Sequence, residues 1–137
     1  MEVCVLDYNK DIERRGSVLR KKVFDNIVET QLQTCKEVLV GKAEEYATED
    51  RLHNFRAAAA LTGQTMEQTL AGMMLKHTVS IYDMCGGSER AAEGYSMEMW
   101  DEKITDHINY LILLRAIVED REYNKKDNSE SQQKQTL

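Results

Sequence analysis

The sequence predicts an all-α domain that resembles a four-helix bundle, with long first and last helices. The 137 residues include no proline, so no helix has to be interrupted by one. Apolar residues recur at steps of three and four along most of the chain, which is the period of an amphipathic helix. Aromatic residues make up only 7% of the chain and seven residues are methionine, a composition that also favours helices. A chain of this length forms one domain with a sizeable core.

The chain divides into three predicted parts. Residues 1–16 form an N-terminal arm, in which a short extended segment, an oligomer contact and a helical turn are equally compatible with MEVCVLD. Residues 17–121 form the helical domain. Residues 122–137 are polar throughout and lose all periodicity, so we expect a disordered tail there.

The first predicted helix covers residues 17–47. Gly16 and Ser17 supply a break and an N-cap, and apolar residues then recur up to Leu39. The start of this helix carries a basic cluster that opposes the helix macrodipole: Arg14, Arg15, Arg20, Lys21 and Lys22. A solvated charged face is the default interpretation of this cluster, and a phosphate or protein contact is the alternative.

Two further helices are predicted in the middle of the chain. A short alanine-rich helix ends at Gly63, in the C′ position. Thr65 and Gln68 then match a capping box that opens a helix reaching Met84. His77 lies on the apolar side of this helix and is expected to be a hydrogen-bonded core histidine. The same helix has a narrow polar stripe, which faces either a cleft or open solvent: Lys76, Ser80 and Asp83.

The last predicted helix runs from Ser96 to Arg121. It follows a glycine-rich connection at residues 85–96, which would act as a lid or as a plain linker. One stripe of this helix begins with Glu102 and Asp106 and ends with aliphatic residues, so we expect both acids to be aimed at the interior. The alternative is that these acids are favoured by the macrodipole and remain solvated.

Two segments carry candidates for chemistry. Glu102 and Asp106 are four residues apart, which places both carboxylates on one helix face, where they could hold a divalent cation or a cationic partner. The turn between the first two helices offers a carboxylate for a cation, a guanidinium for phosphate and polar groups for a base edge: Glu45, Arg51, His53 and Asn54. An ordinary polar loop is the alternative for this turn.

The composition also limits the partners and the compartment. A net charge of −6 argues against a general nucleic-acid binder, which would present a basic surface. The three cysteines are widely separated and have no metal-ligand spacing, as expected of reduced thiols. No secretory signal and no run of eighteen apolar residues is present, so we expect a cytoplasmic protein without a membrane span.

Three segments together carry a resemblance: EEYATEDRLHNFRAAAALTG, GMMLKHTVSIYDM and WDEKITDHINYLILLRA. They resemble small helical phage and prophage proteins described as nucleotide-modification-associated domains, which look like distant relatives of the MazG-type all-α NTP pyrophosphohydrolases. The resemblance covers about residues 36–118. It implies a MazG-type bundle in a phage-encoded protein that acts in the cytoplasm of the host cell.

The resemblance also implies a magnesium site. In MazG-type enzymes, carboxylates from two helices bind Mg²⁺, which polarises the triphosphate and activates water. Glu102 and Asp106 match the later acidic pair, with EKITD in place of ExxD, and Glu45 and Asp83 are the candidates for additional ligands. The earlier ExxE motif is missing from this chain, which affects the prediction of catalysis more than that of nucleotide binding.

Three functions are open at this point. The first is magnesium-dependent hydrolysis of a nucleoside triphosphate between its α and β phosphates, without an assigned catalytic residue. The second is a non-catalytic protein that sequesters a nucleotide or cyclic nucleotide, as a phage anti-defence sponge would. Both use the same predicted ligand contacts: Arg51, His53, Asn54, Lys76 and Trp100. The third is a structural partner protein, and in all three cases we expect a homodimer or homotetramer.

Overall fold

The computed structural model describes residues 19–45, 49–87 and 94–135. These residues form no strand and four α-helices: α1 Lys21–Glu45, α2 His53–Thr62, α3 Met66–Tyr82 and α4 Met97–Gln135. A π-helical turn, Asp83–Gly87, follows α3. The all-α prediction is therefore confirmed for this part of the chain, and its first and last helices are the long ones. The predicted arm at residues 1–16 and the predicted cap Ser17 lie outside the described residues.

The chain contains two compact units, and the first ends at Thr34. The described part of this unit consists of residues 19–34, most of which belong to α1. Lys21 of the basic cluster forms an ion pair with Asp25, one turn further along the helix. Several large apolar side chains of this segment are exposed: Leu19, Phe24, Ile27, Val28 and Leu32.

The second unit begins at Cys35 and contains the buried core. Helix α3 packs against both α2 and α4, so it is the central helix of this unit. Leu70 on α3 and Ile117 on α4 are fully buried, and Leu52 and Phe55 complete the cluster. Partly buried side chains surround it: Met66, Met74, Tyr110, Leu113 and Leu114. Removing this apolar surface from water is the main favourable contribution to folding.

The predicted helix ends around residue 64 are present in the structure. Gly63 has a φ of 67°, the left-handed conformation that favours glycine after a helix. The backbone N–H of Gln68 donates to Thr65 Oγ1 at 3.1 Å, and the Thr65 N–H donates to Gln68 Oε1 at 3.0 Å. This reciprocal pair is the predicted capping box, and it satisfies two backbone donors at the start of α3.

Helix α4 differs from the prediction, because it continues to Gln135 where we expected a disordered tail from residue 122. The segment contains no glycine or proline to break the helix. Short-range polar contacts accompany the extension, including Lys125 Nζ with Glu122 Oε1 at 3.0 Å. An apolar face is needed to pack a helix on a core, but the backbone remains helical here without one.

The predicted lid or linker is only partly described, since residues 88–93 lie outside the described ranges. Its first part is the π-helical turn, in which Gly86 has a φ of 119°. None of the helices in the described residues has an apolar stretch that would span a lipid bilayer.

Candidate functional site

A cavity of about 400 Å³ opens in the second unit. Residues from all four helices and from the turn before α2 form its wall. Binding sites for small molecules have volumes of about 300–1,000 Å³, so the cavity is large enough for a ligand of a few rings. The lining combines apolar side chains with cations, acids and amides: Leu39, Lys42, Asp50, Arg51, His53, Asn54, Phe55, Met73, Asp106, Asn109, Tyr110 and Leu113.

Helix α4 supplies one continuous wall of the cavity. Its lining residues follow the helical period, so they lie on one side of α4: Asp106, Asn109, Tyr110 and Leu113. Ile117 lies one turn beyond Leu113 on the same side and is fully buried in the core. The burial of Ile117 therefore fixes the rotation of α4 about its axis. In this orientation the polar residues of the same stripe face the cavity.

Asn109 lines the cavity and carries a buried, unsatisfied amide. The residue is only 6% exposed, and neither Oδ1 nor Nδ2 has a hydrogen-bond partner in the described part of the chain. A buried polar group without a partner costs roughly 1–3 kcal/mol, and most such groups in native proteins are paired. Both amide atoms are inaccessible to water in the ligand-free chain, so a ligand that presents one donor and one acceptor side by side would satisfy them after the side chain turns towards the cavity.

The turn before α2 is held in place by Asp50. Its Oδ1 accepts a hydrogen bond from the Leu52 backbone N–H at 3.0 Å, and its Oδ2 accepts one from Arg56 Nε at 3.0 Å. These hydrogen bonds, that of Leu52 above all, lower the pKa of the Asp50 carboxyl. Arg56 also donates to both carboxylate oxygens of Asp120 on α4, at 3.1 and 3.0 Å. The turn is thus tied to α4 by a bidentate ion pair.

The exposed part of the lining carries positive charge. Arg51 Nη2 donates to the carbonyl oxygen of Leu39 at 3.0 Å, which holds the guanidinium next to α1. Lys42 lies one turn after Leu39 on that helix and is also exposed. His53 and Asn54, at the start of α2, are exposed as well. The cavity therefore has a buried amide in its wall and a cationic, polar rim.

Asp106 lies between this cavity and a partly buried histidine. Its Oδ2 is 3.8 Å from His77 Nδ1, and the His77 ring packs on Tyr110 with the ring centroids 4.9 Å apart. Burial lowers the pKa of His77, while the Asp106 carboxylate acts in the opposite direction. His77 is thus largely buried on the apolar side of α3, as predicted, but 3.8 Å is too long for the expected hydrogen bond.

The structure brings four of the predicted site residues together in the cavity lining: Arg51, His53, Asn54 and Asp106. The other predicted site residues do not line the cavity: Glu45, Lys76, Asp83, Trp100 and Glu102. The turn before α2 and one acid of α4 therefore lie on one cavity. The polar stripe of α3 and the first two turns of α4 lie outside its lining.

Glu102 illustrates why the predicted acidic pair is divided. Its carboxylate accepts a hydrogen bond from Lys103 Nζ at 2.8 Å, and this bond lowers the pKa of Glu102. The Glu102 side chain is 61% exposed, whereas Asp106, one turn later, lies on the cavity wall. Trp100 packs edge-on against Tyr95, with centroids 6.2 Å apart, instead of against a ligand site. The inward stripe of α4 therefore begins its contact with the cavity at Asp106.

The described residues do not assemble the predicted magnesium site within one chain. Over residues 19–45, 49–87 and 94–135, no group of three or more His, Cys, Asp or Glu side chains is arranged to hold a metal ion. Among the four predicted ligands, only Asp106 lines the cavity. The physical reason is that Glu45, Asp83 and Glu102 lie at the ends or on the exposed faces of their helices.

Eight of the twelve lining residues were not among the predicted site residues, and four of these eight are polar: Lys42, Asp50, Asn109 and Tyr110. Asn109 had a signal in the sequence, since it follows Asp106 by three residues on the stripe that becomes aliphatic further on. Periodicity places this amide inward, but it does not reveal that the surrounding residues leave the amide unpaired. Lys42 had no distinguishing signal among the many charged residues of α1.

Comparisons of this chain with protein-family models, with curated proteins and with solved structures gave no match.

Proposed function

We propose that this chain binds a nucleotide in the cavity between its helices and holds it without turning it over. The observation that carries the proposal is the unpartnered, buried amide of Asn109 in a cavity whose rim carries Lys42 and Arg51. Polar atoms of this kind are matched by a planar heterocycle with adjacent donor and acceptor atoms. The cations at the rim match the phosphate attached to such a heterocycle.

The distribution of burial supports one orientation of the ligand. Phe55 and Asn109 are buried, and the apolar side chains of Met73 and Leu113 also line the cavity, which suits the faces of a base. Lys42 and Arg51 are exposed, so they suit phosphate groups that remain partly hydrated. The base would therefore enter the cavity first, and the phosphates would stay at the rim.

Magnesium-dependent hydrolysis is the second candidate function, and the position of Asp106 favours it. Mg²⁺ often binds to proteins through one or two carboxylates together with the phosphates of a substrate. However, Asp50, the other acid of the lining, is already engaged by the Leu52 N–H and by Arg56. A single remaining carboxylate does not fit the multi-carboxylate magnesium site of the MazG-type enzymes, so we derive no metal-dependent step. Binding without turnover is the better supported function.

The proposal also includes a MazG-type bundle that assembles from several copies of the chain. Support for assembly comes from α1, where Phe24 is 53% exposed and Leu32 is 58% exposed. Ile27 and Val28 lie between them on the same side of the helix and are also exposed. Contiguous apolar surface of this kind typically marks a protein contact. A protein that sequesters nucleotides in a phage-infected cell would fit both the cavity and the exposed apolar side of α1.

The experiment that tests the function is incubation of the purified chain with a panel of nucleotides, with and without MgCl₂. The panel contains nucleoside monophosphates, nucleoside triphosphates and cyclic dinucleotides. After removal of free ligand, the protein is denatured by heat and the released material is separated by chromatography. We expect an unaltered nucleotide to be released in both conditions. Products that form only with Mg²⁺ would assign hydrolysis instead, and the absence of any retained nucleotide would overturn the proposal.

A matched pair of variants links binding to the cavity. Lys42→Ala removes a cation of the rim, so it should weaken binding of a nucleoside triphosphate several-fold. Lys36→Ala removes an exposed lysine of the same helix that does not line the cavity, and it should leave the affinity unchanged. Equal effects of the two substitutions would show that general electrostatic attraction, rather than this rim, holds the phosphates.

A further inference from the structure

The proposed function leaves the identity of the base open, and two residues of α4 bear on it. Asp106 and Asn109 both line the cavity and are three residues apart, so their side chains are neighbours on one helix face. Asn109 offers one acceptor and one donor, neither of which has a partner among the described residues, and its amide meets a base in the cavity after a turn of the side chain. Asp106 is a carboxylate and in its ionised form it only accepts hydrogen bonds.

The amide alone does not distinguish one base from another. A carboxamide that is free to rotate by 180° exchanges its donor and its acceptor. It can therefore pair with the amine and ring nitrogen of adenine or cytosine, and equally with the carbonyl and ring N–H of hypoxanthine or uracil. A second group beside the amide is needed to make one of these arrangements better than the other.

Asp106 is such a group. An exocyclic amine has two N–H donors, so it can donate one to Asn109 Oδ1 and the other to the Asp106 carboxylate. The Asn109 Nδ2–H₂ group then donates to the unprotonated ring nitrogen beside the amine. A carbonyl oxygen in the place of the amine would face the carboxylate without a proton between them. Two hydrogen-bond acceptors that face each other at close range in a partly buried site repel each other, so this arrangement is unfavourable.

We infer that Asp106 and Asn109 form a base-reading pair that selects nucleobases whose Watson–Crick edge presents an exocyclic amine beside an unprotonated ring nitrogen, namely adenine and cytosine. This inference rests on the proposed nucleotide-binding function. The chemistry resembles the pairing of asparagine with adenine in nucleic-acid recognition, where both atoms of the amide contact the base edge. Here the carboxylate adds the discrimination between an amine and a carbonyl group.

The test compares ligands that differ only in this group. Binding of ATP and ITP is measured by isothermal titration calorimetry in buffer that contains EDTA, and CTP is compared with UTP in the same way. A good bidentate contact discriminates between bases by about 1–3 kcal/mol, so we expect ATP and CTP to bind about 5- to 150-fold more tightly than their keto counterparts. Equal affinities within each pair would overturn the inference but would leave nucleotide binding established. Failure of all four nucleotides to bind would instead overturn the proposed function.

Two variants test whether Asp106 and Asn109 cause the preference for a base with an exocyclic amine. Asp106→Asn replaces the carboxylate by an amide that can either donate or accept, so the ATP to ITP preference should fall to about one while binding persists. Asn109→Leu removes both contacts to the base, so ATP affinity should fall at least about tenfold. Asn124→Leu is the control, because Asn124 is exposed on the same helix and does not line the cavity. An unchanged preference in Asp106→Asn would contradict the role of Asp106.

Folding of the variants is checked independently of binding. Far-UV circular dichroism and thermal unfolding of each variant show whether it retains its helices and cooperative unfolding. A folded Asn109→Leu protein that binds ATP as tightly as the unchanged chain would overturn the inference. Should Asn109→Leu fail to fold, Asn109→Ala replaces it, since this substitution removes both amide contacts without adding bulk or charge. Asn109→Ala should then weaken ATP binding, and undiminished affinity would again overturn the inference.

Discussion

At the residue scale, the proposed nucleotide binding depends on the buried amide of Asn109, which the described residues leave unsatisfied. Asn109 lies on an otherwise inward-facing stripe of α4, where an apolar residue would pack without a polar penalty. An amide in such a position costs stability in the ligand-free protein. Binding sites often contain residues that lower the stability of the ligand-free protein, because the groups that a ligand needs are not those that pack best.

Asn109→Leu should therefore stabilise the ligand-free protein. Leucine has a similar size and removes two unsatisfied polar atoms, so the free energy of unfolding should rise by about 1 kcal/mol. Urea unfolding in the absence of nucleotide measures this change, with Asn124→Leu as the exposed control. A loss of stability in Asn109→Leu would indicate that the amide has a structural partner and is not held ready for a ligand.

His77 gives the second prediction at this scale. Burial lowers its pKa from the ordinary value of 6.5, against the opposing effect of Asp106. The unfolded chain thus binds a proton at His77 at a higher pH than the folded chain does. The free energy of unfolding should therefore fall as the pH is lowered from about 7.5 through 6.5, until the folded protein is also protonated there.

The measurement is urea unfolding at a series of pH values between about 5 and 8. His77→Gln should reduce the slope of stability against pH in this window. An unchanged slope in His77→Gln would contradict the burial of His77 as the cause.

The sequence predicted part of the site at the residue scale. Arg51, His53 and Asn54 were predicted from the density of polar groups in one turn, and this turn does reach the cavity. Asp106 was predicted from its place on an inward stripe. Periodicity assigns a residue to one face of a helix. How far along that face a neighbouring helix packs depends on tertiary structure, which periodicity does not give. Glu102 lies on the same stripe as Asp106 and is nevertheless exposed.

At the element scale, local sequence signals and tertiary packing contributed differently. The capping box at Thr65 and the glycine at position 63 are local signals, and the structure contains both where they were predicted. The C-terminal end of α4 was predicted from its apolar stripe and not from a local capping signal. We expected the helix to end with its apolar stripe at Arg121, but helical propensity and polar contacts carry it to Gln135.

Truncation after Arg121 tests this interpretation of α4. The described side chains between Glu122 and Ser131 are exposed, so their removal takes little apolar surface out of the core. Arg121 itself remains, together with its ion pair to Glu67 on α3. Circular dichroism should show a loss of helical signal, while the midpoint of urea unfolding should change little. A large drop in the midpoint would mean that the end of α4 contributes to packing in this chain or between its copies.

At the scale of the whole molecule, charge and exposed apolar surface determine what the protein can bind. The net charge of −6 disfavours the approach of an anionic ligand in general, so a nucleotide depends on the local cations of the rim. Those cations are few and exposed, and salt should weaken the binding of phosphate to them. The buried base contacts are screened much less, which is why the account assigns selectivity to them.

Assembly is the prediction that belongs to this scale. Leu32→Lys introduces a charge into the exposed apolar side of α1. If copies of the chain associate through this side, the substitution should lower the molar mass measured by size-exclusion chromatography with light scattering. Glu29→Lys is the control, since it changes the charge at an exposed position of the same helix without removing apolar surface. A protein that is already monomeric before substitution would contradict the predicted assembly.

The most direct test of the central claim is the side-chain amide resonance of Asn109 in a ¹⁵N-labelled sample. The resonance is assigned by its absence from the spectrum of Asn109→Leu. On addition of ATP we expect a large shift of the Asn109 Nδ2–H₂ signal, because Oδ1 accepts a hydrogen bond from the base and Nδ2 donates one to it. An Asn109 signal that stays in place at ATP concentrations that saturate the protein would contradict it.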